Sequence, residues 1–494
     1  GAMRTVWVFG DQLNRRIGAL GRSDPRDTHV LLVESEALLR TGKHVQRLHL
    51  VIAAMRRFAS ELEEEGFEVD LRRAAMLEEG LRAHIEAYAP DEVVASEPNS
   101  RAARDLCGRL QVAQLPSDQF LCRPDDFAAW AADRSTLRLE DFYRWQRKRL
   151  GYLMDEDEPA GGRWNYDSDN REPPPADPAL YSPPPQTPLD ALDEDELASL
   201  PEAPGDRPVG LWATTRHQAL ARLDHFLDHE LVRFGRYEDA MTSGSWALAH
   251  SMLSPYLNLG LLLPGEVCDA VEARYRAGEV PINSAEGFIR QVIGWREYVW
   301  GLYWLWPELA DGNALDHDRP LPPAFSGEGT TQMRCLADAL DGLERRAWVH
   351  HIPRLMVLSN LANLVGIEPR LVYRWMLDRY IDGAEWVMVP NVMGMGLWAD
   401  GGRMASKPYI SGGAYIDRMS DYCGTCPYDP RKRTGEDACP FTTLYWDFLA
   451  RHEARLRGNH RLSRPLAGMR RLKDLPAVRA RAREARDGIE QGRI

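Results

Sequence analysis

Thr5-Val6-Trp7-Val8-Phe9-Gly10-Asp11 opens the chain with an apolar run that stops at a glycine and an acid. β-Branched and aromatic residues in an unbroken run suit a buried strand, and Gly-Asp suits the loop leaving it. The pattern returns at residues 29–33, closed by Glu34, and again at 67–71 and 92–95. Between these runs the apolar period changes. Over residues 43–65, Leu48, Ile52, Met55, Ala59 and Leu62 share one helical face, and 78–88 reads as a helix too. Strands alternating with helices predict an α/β unit, a doubly wound parallel sheet over about residues 4–130.

The rest of the chain reads differently. It has 494 residues and a net charge of −13, with 44% hydrophobic residues, enough to build real cores. Residues 155–206 hold 15 acids against two bases and 11 of the 33 prolines, so 131–210 is predicted to be an acidic, Pro-rich linker. Without that segment acids and bases balance, so the acidity does not argue against a basic nucleic-acid face. Its aromatic stretch Arg163-Trp164-Asn165-Tyr166 suggests a patch docked on a domain. Beyond 211 strand-like runs vanish. Residues 214–234, 245–262, 284–306, 332–344, 351–364 and 369–380 read as helices, predicting an all-α C-terminal domain over 211–494. The stretch 461–494, with 10 bases and four acids, suggests a basic helix. No apolar run is long enough to span a bilayer, and no secretory segment opens the chain, so a cytoplasmic protein without membrane contact is expected.

Three of seven cysteines crowd into Cys423-x2-Cys426-x12-Cys439-Pro440. A CxxC pair brings two thiolates to one metal and a third closes most of the site, with Cys335 the candidate fourth. Spacing alone leaves zinc and iron–sulfur open, the Cys-Pro ending leaning toward the latter. Cys107, Cys122 and Cys268 read as buried thiols. In Ser251-Met252-Leu253-Ser254-Pro255-Tyr256-Leu257, small hydroxyl residues and a proline at a helix start suit an anion such as a diphosphate. In residues 286–298, Phe288, Val292 and Trp295 keep a core stripe, while Gln291 and Arg296 leave it and are free to face a ligand.

These motifs resemble the photolyase and cryptochrome family. Residues 251–257 look like its flavin-phosphate motif and Trp295-Arg296-Glu297 like its Trp-Arg-Glu motif. Phe9-Gly10-Asp11-Gln12-Leu13, His350-His351-Ile352-Pro353-Arg354 and Lys407-Pro408-Tyr409 resemble the iron–sulfur bacterial cryptochromes and prokaryotic (6-4) photolyases. The resemblance implies a 4Fe-4S cluster on Cys335, Cys423, Cys426 and Cys439. It implies FAD in the helical domain, with Tyr237, Ser251, Leu253, Ser254, Gln291, Arg296, Asp382 and Asn391 around it. A 6,7-dimethyl-8-ribityllumazine antenna would sit on Gly10, Asp11, Gln12, Leu13 and Glu34, at the carboxyl ends of the first strands.

The implied reaction is light-driven repair of (6-4) pyrimidine–pyrimidone photoproducts in UV-damaged DNA, by a monomeric lyase. His350 and His351 are the proton-transfer candidates, Asp239 the acid that would orient the lesion or a water, and Trp375 the flavin-proximal member of a photoreduction chain. Met376 stands where a tyrosine is expected in that chain, and residues 321–334 hold no tryptophan. Arg144, Arg147, Lys148 and Arg149, with Arg431-Lys432-Arg433, are the expected phosphate contacts. The alternatives are a light-sensing cryptochrome without repair and a flavin-free iron–sulfur DNA-binding protein.

Overall fold

The computed structural model describes residues 3–40 and 42–494. Five parallel strands, β1 (Arg4–Trp7), β2 (Thr28–Ser35), β3 (Glu68–Ala74), β4 (Glu92–Ser96) and β5 (Ala113–Leu115), lie in the order β3-β2-β1-β4-β5. Val6 is in register with Val30 on one side and Val94 on the other. Side chains then alternate between two cores. Val6, Val8, Val30 and Leu32 join Leu50, Ala54 and Phe58 of α1 (Val45–Glu65). Trp7, Phe9, Leu31 and Val33 join Leu81 of α2 (Leu77–Tyr88) and Cys107 of α3 (Arg101–Arg109). Because both faces are covered, the central strands read as continuously apolar runs. The packing is close: a Cβ on Gly80 of α2 would fall 2.6 Å from Val33 Cγ1. Strand order reverses between β1 and β4, which marks the crevice beyond their carboxyl ends as the sheet's ligand position.

The segment expected to be a linker is itself built into the molecule. Its start, with α4 (Pro124–Ala131) and α5 (Leu139–Leu150), belongs to a core in which Phe127 and Phe142 pack on Tyr298. From 155 to 206, proline restricts regular structure to a small hairpin, short turns and α6 (Ala191–Ala198). The acids attach it. Asp193 and Glu196 of α6 lie 3.0 and 3.4 Å from His49 Nε2 on α1, and Arg57 donates to both. The aromatic patch docks at the other end: Tyr166 is buried, its N–H donates to Glu286 Oε1 at 2.6 Å, and Arg147 and Lys148 lie over Trp164.

Among the described residues, every helix or strand beyond 211 is helical. The helix expected over 245–262 forms only as α7 (Ser254–Leu259), and Leu248 and Met252 before it take φ of 45° and 57°. Pro255 explains the late start, since proline fits the first turn of a helix and disrupts its interior. The predicted 284–306 helix forms as α8 (Ile282–Ile289) and α9 (Glu297–Leu305), joined by a widened π turn at Arg290–Arg296. Similar π turns occur at Pro353–Ser359 and Val389–Gly396. The basic C-terminal stretch forms two helices rather than one, Ser463–Arg470 and Leu475–Glu490. No helix is long and apolar enough to cross a membrane among the described residues.

Candidate active site

These three π turns, α7 and residues 238–239 converge on a cavity of about 610 Å³. A π turn carries an extra residue that bulges from the helix, and such bulges favour functional positions. Gln291, Trp295, Arg296, Arg354, Ser359 and Asn391 reach the cavity wall from them.

The buried end of the cavity is cationic. Arg296 is half-buried, lying over Phe120 and Trp386 at 4.4 and 5.1 Å from their ring centres. Its Nη2 donates to Leu257 O at 3.2 Å, but Nε and Nη1 are buried with no partner among the described residues. Burial lowers its pKa to about 10, so the guanidinium stays charged at neutral pH. A buried unpartnered cation is costly unless an anion joins it, which fits a diphosphate-bearing cofactor in this space. Beside it Asp382 accepts from Ser254 Oγ at 2.6 Å and from Arg354 Nη1 at 2.9 Å, while Asn258 Nδ2 donates to its backbone oxygen at 2.9 Å. Ser251 and Leu253 line the same wall.

The mouth holds the titratable groups. His351 Nε2 lies 3.1 Å from Asp239 Oδ1, with the imidazole 42% exposed. Burial alone would lower its pKa, but the Asp239 hydrogen bond and charge, with Glu238 behind, raise it above the ordinary 6.5. His350 next to it is buried and stacks on His250 with centroids 4.2 Å apart. Burial pushes both of those rings well below the usual range, so they are neutral at physiological pH. Of the adjacent histidines, only His351 is set up to carry a proton into the cavity.

Two expected residues stand elsewhere. Tyr237 packs against Tyr181, centroids 6.0 Å apart, and under Arg236, outside the cavity lining. Trp375, on a helix at Pro369–Arg379, turns away: its Nε1 donates to Phe325 O at 2.7 Å and its ring fronts a separate groove. Met376 takes the cavity side, and the cavity lining also includes Trp386, whose ring centre lies 5.1 Å from the Arg296 guanidinium. The cavity also uses residues that sequence reasoning did not single out as site members, among them Asp167, Glu238, Asn258, Arg354, Tyr409 and Tyr415. For Arg354 and Tyr409 the quoted motifs were the available signal. For Asp167 and Glu238 there was none.

Elsewhere in the helical half, Cys335, on α10 (Arg334–Arg346), meets Cys423, Cys426 and Cys439 around a small apolar chamber. A Cβ on Gly413 would stand 3.0 Å from Cys439 Sγ. Burial first, then the three neighbouring sulfurs, push the Cys335 thiol well above its ordinary pKa. Four sulfurs in one dry chamber hold their thiolate forms only around a cationic centre, so the donor set fits a soft metal or cluster.

The strand-end residues divide. Leu13 is committed to the joint with the helical half, its N donating to Leu259 O, while Gln12 Nε2 donates to Glu97 O at the end of β4 within the sheet unit. Glu34 is held by Arg56 at 2.8 Å and Arg73 at 3.3 Å. Gly10 packs on Met55, and burial raises the Asp11 carboxyl to about 6. Most of the expected phosphate contacts are engaged as well. Arg147 is fully buried, donating to the carbonyls of Tyr152, Leu153 and Trp164. Arg431, Lys432 and Arg433 pair with Asp429, Asp437 and Asp474.

Residues 6–203 match a family model described as deoxyribodipyrimidine photo-lyase-related protein. Over 490 residues the chain is 41% identical to a protein named (6-4) photolyase from Agrobacterium fabrum, covering 95% of this chain and 96% of that one. The chain belongs to the photolyase family. Solved structures agree on the photolyase fold. A class III photolyase from Agrobacterium tumefaciens superposes with a TM-score of 0.57 at 20% identity, over 85% of this chain and 86% of that one. A Synechocystis cryptochrome gives 0.55 at 15% identity, over 85% and 89%. The α/β sheet and the helical half of a photolyase are thus both present.

Proposed function

We propose that this photolyase repairs (6-4) pyrimidine–pyrimidone photoproducts in UV-damaged DNA under blue light, as a monomer that binds FAD in the large cavity. One observation carries the reading: a single cavity joins the unpartnered Arg296 to the His351–Asp239 pair at its mouth. Arg296, Ser251, Leu253, Ser254, Asp382 and Asn391 would hold the cofactor, while Gln291, tied to Glu238, would face the lesion instead. Fully reduced and photoexcited, FAD would supply the electron that starts repair and take it back at the end.

The chain's own groups do the rest. Arg296 neutralises the diphosphate, and the Ser254–Asp382–Arg354 network fixes the wall beside it. A flipped-out lesion enters at the mouth, since the photoproduct must leave the stack to reach the cavity. His351, kept protonated by Asp239 on Nε2, delivers a proton from its other ring nitrogen, Nδ1, to the lesion, which lets the displaced oxygen group return to its base, and then recovers the proton. His350, neutral and stacked, supports His351 rather than sharing its role. Trp386 takes the flavin-proximal place in the electron route, with Trp375 further out and Tyr237 bracing the wall from outside.

The same reading assigns the four cysteines a 4Fe-4S cluster, and Gly10, Asp11, Gln12 and Glu34 the lumazine antenna, with Leu13 serving the joint. It takes 4–130 and 211–494 as domains joined by 131–210. The deciding experiment is repair of a (6-4) oligonucleotide under blue light by anaerobically purified, FAD-loaded protein. Full flavin loading without repair would overturn the reading in favour of a light sensor. Stoichiometric zinc without iron would overturn the cluster assignment, and Cys426→Ala is expected to lose the iron.

A further inference from the structure

Glu238 is a buried carboxylate on the cavity wall with no ion-pair partner among the described residues. Its oxygens are satisfied by two amides: Gln291 Nε2 donates to Oε1 at 3.0 Å and Asn170 Nδ2 to Oε2 at 3.2 Å. The fit is close, since a Cβ on Gly287 would lie 3.1 Å from Oε2. The two amides differ in one respect. Asn170 cannot turn over, because its Nδ2 also donates to the backbone oxygen of Asn283 at 3.2 Å and its Oδ1 accepts from Asn283 Nδ2 at 3.1 Å. Gln291 has Glu238 as its anchor, and its amide oxygen is thereby turned toward the cavity.

We propose that Glu238 is a positioning residue whose proton decides which end of the Gln291 amide faces the lesion. Ionised, Glu238 accepts from Nε2 and the cavity meets an acceptor. Protonated, it donates to Gln291 Oε1, the amide turns over, and the cavity meets the NH₂ group. Nothing is oxidised or reduced, and the proton exchanges with solvent through the mouth. The surroundings permit the switch near neutrality. Burial raises the carboxyl to about 7; His351 and Arg290 oppose the rise, while Asp239 and Asp167 add to it. His250 faces the Glu238 backbone oxygen and is itself held neutral.

This inference rests on the lesion chemistry proposed above. The saturated base of a (6-4) photoproduct carries hydroxyl and N–H donors, which an amide oxygen accepts and an amide NH₂ repels. Lesion affinity is therefore expected to rise with pH through Glu238, while repair falls as His351 loses its proton. The result is a bell-shaped repair profile.

The test uses Glu238→Gln in the FAD-loaded protein. Asn170 forces the new amide to place its oxygen toward Nδ2, so its NH₂ faces Gln291 and locks the turned-over state. Above neutrality the variant should bind lesion DNA about 10-fold more weakly, the effect of one hydrogen bond with the wrong polarity. Its affinity should not vary with pH, and the acid limb of its repair profile should be gone. Infrared difference spectra should show a carboxylic-acid carbonyl band in the wild type that disappears as pH rises through about 7. That band should be absent in Glu238→Gln and kept in Gln291→Met, which loses the pH-dependent affinity. Flavin content and Tm measured alongside separate this from a structural defect, which would lower both at every pH. An unchanged affinity profile in Glu238→Gln, or a wild type without a band sensitive to that substitution, would overturn the switch. Absence of repair by the wild type would overturn the function instead, and the infrared titration would still judge Glu238.

Discussion

The two ends of the large cavity are opposites in charge and in solvent. At the buried end Arg296 keeps a fixed charge that neither pH nor its neighbours remove, and two of its nitrogens wait for an anion. At the mouth burial raises the Glu238 carboxyl to about 7, and the Asp239 carboxylate raises the pKa of His351 above its ordinary value. A permanent charge suits holding a ligand; a labile proton suits turnover. The same contrast separates two adjacent residues. His350 lies a single position from His351, yet burial and stacking fix it as neutral while Asp239 sustains the charge on its neighbour.

The sharpest way to break the comparison is to remove its proton donor. In His351→Ala, repair per bound reduced FAD should fall about 10²–10⁴-fold while lesion affinity stays close to that of the wild type. His350→Ala should instead reduce Tm and flavin loading, with repair by the loaded fraction retained. Equal losses of normalised repair in both variants would erase the distinction between the histidines. At the other end, Arg296→Leu should weaken FAD retention about 10- to 100-fold, the cost of losing a charge-assisted partner. Flavin release on dilution measures it, and unaltered retention would show that the cation serves only the fold.

A smaller effect sharpens the electrostatics of the mouth. His351 has a raised pKa, so its charged-form contribution is present below 6.5 and is lost as pH rises through the folded-state value. Asp239→Asn removes the main support and should move the basic limb of the repair profile acid-ward by about one pH unit. A limb that does not move would assign it to another group. The smallest change expected is in Met376→Tyr, because Trp375 beside it faces away from the cavity. Flavin photoreduction should respond weakly there and strongly in Trp386→Phe; the reverse order would restore Trp375 as the proximal donor.

Much of the architecture was legible because it follows from chain-local periodicity. The runs around Val6, Val30 and Val94 pair in one sheet, and the face of Leu48, Ile52, Met55, Ala59 and Leu62 became the buried side of α1. The spacing of Cys423, Cys426 and Cys439 pointed to one shared site, and the structure gathers them with Cys335 around one chamber, while Arg296 stood out by leaving its helix's apolar stripe. The sequence also held the prolines that limit regular structure in 155–206, but not the way that segment binds the molecule. His49 and Arg57 find Asp193 and Glu196 only after the chain has folded back over more than a hundred residues.

The functional detail was decided almost entirely by that folding. Neighbours in sequence part company across a helix, so Trp375 and Met376 face different spaces and His350 and His351 acquire different charges. The π turns that push Gln291, Arg354 and Asn391 into the cavity leave no composition signal, because the same residues serve an ordinary helix equally well. Glu238 is the extreme case. Nothing in Tyr237-Glu238-Asp239 distinguishes it from a surface acid, and only the enclosure by Asn170, Gln291 and Gly287 makes it a buried carboxyl that titrates near neutrality. A residue type fixes which chemistry is available, whereas desolvation and the charges brought close by the fold fix which protonation state is present.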